Sequence, residues 1–586
     1  MEILDSNQDD TLNYEQIFDD QIFMINLKQK LISILDQFPG KKILYLDKKM
    51  LDLVNFIVQA NTLKDNGIID TFYLDQDESY SEINQVIFFL SPSIEHVKRI
   101  AKIIHSDQSR GQQKKYCSIF SPRITSLCRE AFEKLGVMSN IIIKNFNFDL
   151  IPLESDLFSL EINTVIEDMY FDKDQSIFQQ VADSIQRIEL LYGKSKKVFA
   201  KGHAAKGVLQ VLLNREKSGR IFEDEGNDYS LLDSIIMIDR TSDLISPLCT
   251  PFTYQAIVDQ KYQINQNFVE VPATLFKEKV QNNQETCQLY MNSNTDEIYK
   301  QIRGKNVKSC QGYLQKRRDE CKNYIQSKKE NILNISQQER EMFIKQSKIF
   351  TFILNHIVLV CDISQMIDSI LFDKNMKAEV NIILQNNMEE TLEHIDNLIA
   401  FQYPLEEILR LLALYSQVEN GIKQKQYDHF RKEIVEVYGI QHLITLNKMQ
   451  EIGLIKKQVQ KSEWENLRTK LDLINEEVDL DNPDDISYVY LAYAPLSVRL
   501  VEQTFKQGQW KDIQKELEYL NGPSMFQAQE DTNQSKRKKL VLVYYVGGVT
   551  YGEVAALRLL AKKYNKEIII CTTNIINSQR LIKMLM

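Results

Sequence analysis

Apolar residues recur along this chain in two rhythms. Over the first 120 residues, short apolar runs alternate with amphipathic stretches. The runs are Lys42–Leu46, closed by Asp47; Thr71–Leu74; Asn84–Leu90, closed by Ser91-Pro92; and Tyr116–Phe120, closed by Ser121-Pro122-Arg123. Between them, Leu51–Ala60 and Ile94–Ile104 show helical spacing. An earlier helical pattern, Ile22 to Leu35, stops at Pro39-Gly40. This alternation predicts a parallel sheet covered by helices. Ligands favour the carboxyl ends of such strands. Asp47, Pro92 and Arg123 sit there and read equally well as turn residues or as binding groups.

A second α/β region opens near Phe148, with a helix over 174–192. It leads to Ile235–Ile238, an apolar run suited to a strand buried on both faces, with Asp239 and Arg240 at its exit. Thr250-Pro251 predicts a helix start, and Tyr254, Ile257, Val258 and Tyr262 share one helical face. From about 261 to about 478 helical periodicity takes over. Asp296–Arg303, Ile332–Leu371, Leu405–Ser416 (broken at Gly421) and Lys425–Val437 all read as helices. The α/β rhythm returns at Asp485–Tyr490. The polar segment 521–539 reads as a mobile loop, and Leu540–Val546 as a buried strand. Gly547-Gly548-Val549 then turns the chain, Thr550 and Glu553 form a capping box, and Glu567–Thr573 is the last strand. This terminal βαβ needs a sheet to join, and the one interrupted near 260 is the host. Two α/β domains with an inserted helical domain are expected: 1–145, then 146–260 plus 478–586, with 261–477 as the insert.

Composition narrows the function classes. The 586 residues carry 71 basic and 81 acidic side chains, a net charge of −10, which argues against a general nucleic-acid binder. The eight cysteines show no Cys-x-x-Cys pairing and no histidine at zinc-ligand spacing, so no metal site is expected. The N-terminus lacks a basic and apolar leader pattern. The longest apolar run, Ile349–Ile363, is interrupted by Asn355, His356 and Asp362 and is shorter than the roughly 20 residues of a membrane span. A soluble, cytoplasmic protein is expected. Lys194, Lys196, Lys197, Lys201 and Lys206 form a basic cluster, a solvated face in preference to a phosphate or lipid-headgroup site. Gly547-Gly548-Val-Thr-Tyr-Gly552 has neither P-loop nor Rossmann spacing, so a tight packed turn is preferred to nucleotide binding. No cluster of nucleophile, base and oxyanion donors is legible; no enzyme activity and no cofactor are expected.

The wording of certain segments is more specific than their pattern. Ile238-Asp239-Arg240, Asp243-Leu244, Ser246-Pro247-Leu248, Phe252-Thr253-Tyr254-Gln255 and Val258-Asp259 follow one another without a gap. Later come Ile408–Ser416 with Gly421; Tyr438-Gly439 with His442; Asp485–Tyr490 with Tyr493-Ala494-Pro495; and Val546-Gly547-Gly548-Val549-Thr550 through Glu553. In this order they resemble the SM (Sec/Munc) family, most closely the vacuolar protein sorting-associated protein 33 subtype. Ala492 departs from it, standing where the family usually has glycine before Tyr-Ala-Pro, and 305–400 matches only loosely.

The resemblance implies an arch of three domains and a non-enzymatic role. The protein would bind syntaxin-type and synaptobrevin-type SNAREs and promote their assembly. It would act within a HOPS or CORVET tether, docked on a vacuolar protein sorting-associated protein 16-like subunit, peripheral on late endosomal, lysosomal or vacuolar membranes. The near alternative is an SM protein of another trafficking route, and the distant one a nucleotide-dependent α/β enzyme. The family's SNARE hairpin corresponds to Arg340, Phe343, Ile344 and Lys348, and its tether contact to Arg431, Tyr438, Ile440 and Leu443. Asp239, Arg240, Asp243, Pro247, Tyr254, Tyr493, Pro495, Gly547, Gly548, Thr550 and Glu553 are then structural signature positions.

Overall fold

The computed structural model describes residues 21–58, 60–74, 83–148, 150–218, 230–276, 285–329, 336–528 and 539–586. The start of the expected 332–371 helix and most of the 521–539 segment lie outside them.

Five parallel strands form the first sheet: β1 (Lys42–Leu46), β2 (Ile68–Tyr73), β3 (Gln85–Leu90), β4 (Lys115–Phe120) and β5 (Ile141–Asn145), in the order β2-β1-β3-β4-β5. Successive side chains alternate between faces, and here both faces are covered. Ile43, Tyr45, Val86 and Phe88 pack against the helices Ile94–Ser109 and Ser126–Lys134. Leu44, Leu46, Ile87 and Phe89 belong instead to a core continuous with the rest of the molecule.

The second sheet draws on segments before and after the helical insert. β6 (Ile151–Glu154), β7 (Leu157–Ser159), β8 (Lys197–Lys201) and β9 (Leu232–Asp239) come first. Then β10 (Ile264–Asn265), β11 (Phe268–Pro272) and β12 (Thr286–Tyr290) make a separate antiparallel sheet of three strands at the start of the expected helical block. β13 (Ser524–Ala528), β14 (Leu540–Val546) and β15 (Glu567–Thr572) complete the second sheet in the order β13-β8-β9-β14-β15-β7-β6. Its four inner pairings, from β8 to β7, are parallel. β14 is buried at every position, as a central strand of seven apolar and aromatic residues should be.

Four local expectations are corrected. The helix after Pro251 begins at Tyr254. The backbone N–H and hydroxyl of Thr250 are taken by the carboxylate of Glu379, at 2.7 and 2.8 Å, so Thr250 caps nothing. Part of the expected loop 521–539 is the edge strand β13, held antiparallel on β8 with Phe526 stacked on Phe199 at 4.8 Å. Asp485–Tyr490, where the α/β rhythm is expected to return, is a 3-10 turn capped by Asp485. The expected 332–371 helix is two, Gln337–Ile367 and Ile370–Leu384, divided where Ser369 caps the second.

The helical block is tied to the second sheet by buried charge. Leu405–Val418 is buried nearly all round. Its Arg410 donates to Glu379 at 2.7 Å and to the carbonyl of Leu248 at 2.9 Å. Thr250, Glu379 and Arg410 thus stitch the turn after β9 to the insert. Burial opposes the charge of Arg410, but Glu407 and Glu379 outweigh it and hold its pKa above the usual arginine range.

Candidate functional site

The signature residues converge at the carboxyl ends of β9 and β14, and nearly all are buried. Asp239 ends β9, and its carboxylate accepts from Ala204 N at 2.7 Å, Thr241 N at 2.9 Å and Tyr170 Oη at 2.6 Å. Gly202 allows that approach, since a Cβ there would lie 2.2 Å from Asp239 Cβ. Arg240 turns inward. Its Nη1 meets both oxygens of Glu553, at 3.0 and 2.9 Å, and its Nε donates to the carbonyl of Asp243. Asp243 accepts from the Ile245, Ser246 and Ser497 backbone N–H groups and lies 3.4 Å from Arg240 Nη2. Both acids cap the turn, Asp243 also lies against Arg240, and the main partner of Arg240 is Glu553.

Glu553 also closes the capping box on Thr550, as expected from the sequence. Gly547 and Gly548 have φ of +103° and +112°, and a Cβ on either would fall within 2.7 Å of Arg240 or Ile576. They serve a tight, close-packed turn. Tyr493 and Pro495 lead into the helix Leu496–Phe505, with the Leu496 N–H bonded to Tyr493 Oη. Pro247 starts a buried 3-10 turn.

A second buried chain of polar groups has the look of a proton relay. Tyr254 Oη lies 2.7 Å from His356 Nδ1, and His356 Nε2 lies 3.0 Å from Asp296 Oδ2. Asp296 also caps its own helix through the Ile298 and Tyr299 N–H groups. Tyr254 is fully buried, and burial first, then Cys310 and Asp296, hold its hydroxyl well above the usual tyrosine range. Buried along its length, this chain of bonds ties three helices together. No group of three or more His, Cys, Asp or Glu side chains suited to a metal occurs among the described residues.

Among the apolar side chains left exposed, two groups lie on the helical block at the positions expected to bind partners. The hairpin of helices Val307–Lys329 and Gln337–Ile367 carries the first. The longer helix is, by length and composition, able to cross a membrane, although its central run alone looked too short. In the fold it buries one stripe: Ile349, Ile353, His356, Leu359, Val360 and Ile363. Ile344 and Leu354 stay 51% and 41% exposed. Arg340, Ile344 and Lys348, four residues apart, share one exposed face, while Phe343 is half-buried.

The second surface lies where the helices Gln424–Tyr438 and His442–Glu451 meet. Ile440 and Ile444 are 73% and 63% exposed, Tyr438 and Leu443 are half-buried, and Arg431 is exposed. Tyr438 Oη donates to the carbonyl of Tyr403 at 2.5 Å, which brings Phe401, 75% exposed, to the same end of the block. Phe401 and Ile444 escape sequence reasoning. Their signal is weak: an aromatic in the Phe-Gln-Tyr-Pro turn, and an isoleucine four residues after another.

Residues 42–584 match the Sec1 family. The chain is 29% identical over 578 residues to the vacuolar protein-sorting-associated protein 33 homolog of Arabidopsis thaliana, covering 95% of this chain and 96% of that protein. It is 29% identical over 593 residues to vacuolar protein sorting-associated protein 33A of Rattus norvegicus, covering 96% of each. Among solved structures, the SM protein Vps45 in complex with the Qa SNARE Tlg2 has a TM-score of 0.60 at 15% identity, over 96% of this chain and 97% of that one. At that identity the likeness is one of fold. The family match runs from the first residue of β1 to the end of the last helix, and its signature residues form the buried joint just described: the chain belongs to the Sec1 family, the SM proteins.

Proposed function

We propose that this chain is a non-enzymatic SNARE-binding protein of endolysosomal or vacuolar membrane fusion, acting as the SM subunit of a HOPS- or CORVET-type tether. The observation that carries the SNARE part is the helix Gln337–Ile367, apolar round much of its circumference yet buried on one stripe. A helix of that kind suits a partner helix laid against it, with Arg340 and Lys348 setting register beside Ile344. Vps45, which shares the fold, was solved in complex with a Qa SNARE, and this supports the reading. The names of the relatives, vacuolar sorting proteins, support the endolysosomal route.

The surface of Phe401, Tyr438, Ile440, Leu443 and Ile444, rimmed by Arg431, is the proposed contact with a vacuolar protein sorting-associated protein 16-like subunit. Its apolar centre and charged rim suit a stable interface. Membrane attachment is then peripheral and supplied by partners.

Affinity purification with identification of the captured proteins tests both surfaces. Ile440→Asp would bury an unpaired charge in the tether contact, a cost of about 3 kcal/mol or more, and should lose the tether subunit while retaining SNAREs. Ile344→Asp should do the reverse. It is a cleaner probe than Phe343→Asp, because Phe343 is half-buried and its loss mixes folding with binding. Full retention of both partners by both folded variants would refute the assignment of surfaces; capture of SNAREs of a secretory or Golgi route alone would refute the route.

A further inference from the structure

One cleft lined by neither proposed surface gathers cations. It measures about 1150 Å3 and opens where the outer face of the helix Tyr551–Lys563, the start of β15 and the β6–β7 turn meet the turn 300–305 and the loop 480–483. On its floor Arg558 grips Asp156 with two bonds, at 2.7 and 2.6 Å, and reaches Glu154 at 2.8 Å. Arg303 pairs with the same Glu154, which also accepts from Gln255. Two guanidiniums therefore crowd one pair of carboxylates. Burial, and then the repulsion of Arg558, work against the charge of Arg303, while its contact with Glu154 favours it.

Around this floor stand four lysines. Lys300 and Lys562 are exposed and have no acidic partner among the described residues. Lys305 lies over the Tyr313 ring at 4.8 Å. Lys566 reaches Asp233 at 3.3 Å, an acid it shares with Lys197 and Lys539. Two acids also line the cleft: Asp481, which accepts from Ser309, and Glu567. Cations still outnumber carboxylates along the lining, in a chain whose net charge is −10. Such a local reversal of sign draws anions to one place.

We propose that this cleft binds a small polyphosphorylated ligand, free or as a lipid headgroup, with Lys300, Lys305, Lys562 and Lys566 as the phosphate contacts around Arg303. The lysines line separate walls of a cleft at or above the upper end of small-molecule pockets, roughly 300–1000 Å3. One phosphate cannot engage them all, whereas a ring or chain carrying several can. Ammonium groups act on phosphate as point charges without demanding one geometry, which suits a rim of this kind.

Calorimetry on the full chain at physiological salt, with inositol hexakisphosphate as probe, tests this. Saturable one-to-one binding is expected. Lys300→Glu with Lys562→Glu should weaken it about tenfold or more, and Lys562→Gln should weaken it measurably with no charge reversal. Lys425→Glu with Lys432→Glu, the same charge change on an exposed helix elsewhere, should leave affinity nearly unchanged. Flotation with vesicles carrying a phosphatidylinositol bisphosphate, against phosphatidylserine vesicles of equal charge, separates the two sources. Flotation that the soluble probe competes away identifies a headgroup; binding of the soluble probe alone identifies a free ligand. Absence of saturable binding, equal weakening by the control pair, or binding of an acidic peptide in place of the phosphate probe would overturn the proposal.

Discussion

Glu553→Ala removes one carboxylate on which two different structures depend. In the folded chain it neutralises Arg240, 1% exposed, with two bonds, and it completes the capping box of the helix Tyr551–Lys563. It also accepts from the hydroxyl of Ser497. Burial works against the charge of Arg240, and Glu553 is the largest influence opposing it, ahead of Asp243. Removing one member of a buried pair costs about 3–5 kcal/mol, because the other charge remains in a dry site. Loss of the reciprocal bond from the Thr550 N–H adds about 1 kcal/mol. The expected destabilisation, about 4–6 kcal/mol, is a large fraction of the about 5–15 kcal/mol that holds a typical domain. The chain's two tryptophans make the assay local. Trp510 packs edge-on against Phe199 of β8 at 5.3 Å, while Trp464 donates to the Ile383 carbonyl in the helical block. Urea unfolding by fluorescence, in Trp464→Phe and Trp510→Phe backgrounds, should show the Trp510 transition moved far to lower denaturant. Arg240→Met combined with Glu553→Met should recover much of the loss, since a buried pair replaced by apolar groups is often neutral. A Glu553→Ala shift below about 1 kcal/mol, or a double variant worse than the single, would refute this account of the joint.

Three further outcomes follow from the same geometry. Gly548→Ala forces a side chain into φ +112°, with its Cβ 2.6 Å from Ile576, and should cost more than about 1 kcal/mol in a urea titration. Lys201 is buried with its ammonium on the carbonyls of Leu517, Leu520 and Gly522, and burial lowers its pKa from 10.5 to about 8. Between those values the unfolded chain holds the proton that the folded one has released, so stability should rise with pH there and the rise should vanish in Lys201→Met. Asp233 is partly desolvated, yet Lys566, Lys197 and Lys539 outweigh that and lower its pKa below 3.8. Its contribution is present above that value and lost as pH falls through the folded one; Asp233→Asn should flatten this part of the acid-unfolding curve.

Where local chemistry decides structure, the chain was legible. The Thr550–Glu553 box and the buried runs of β9 and β14 are set by neighbours in sequence, and they stand as expected. Thr250-Pro251 is a good helix start locally, but Glu379, 129 residues away, takes both of its donors. β13 was missed because an edge strand in a polar segment needs only Phe526 against Phe199 to define it. β11 and β12 alternate buried and exposed positions, a period-2 signal drowned by the helical stretches after them. The run 349–363 is apolar nearly all round, which by itself fits a buried helix as well as an exposed one. Only the packed neighbours reveal that one stripe is covered. For the same reason Phe401 stood out only once Tyr438 had bonded to Tyr403.

The joint between Arg240 and Glu553 spans 313 residues of sequence. On the ribosome, at about 5–20 residues per second, roughly 15–60 seconds separate the synthesis of one from that of the other. Throughout that interval β9 has made its pairing with β8 at most, and its other edge, Ile235 to Ile238, waits for β14. The nascent chain therefore exposes an unpaired apolar strand while the whole helical insert is being made, and for that period it is a client for chaperones. A stop codon anywhere before β14 would leave the wait permanent, so even a late truncation that keeps every exposed helix should yield an insoluble product.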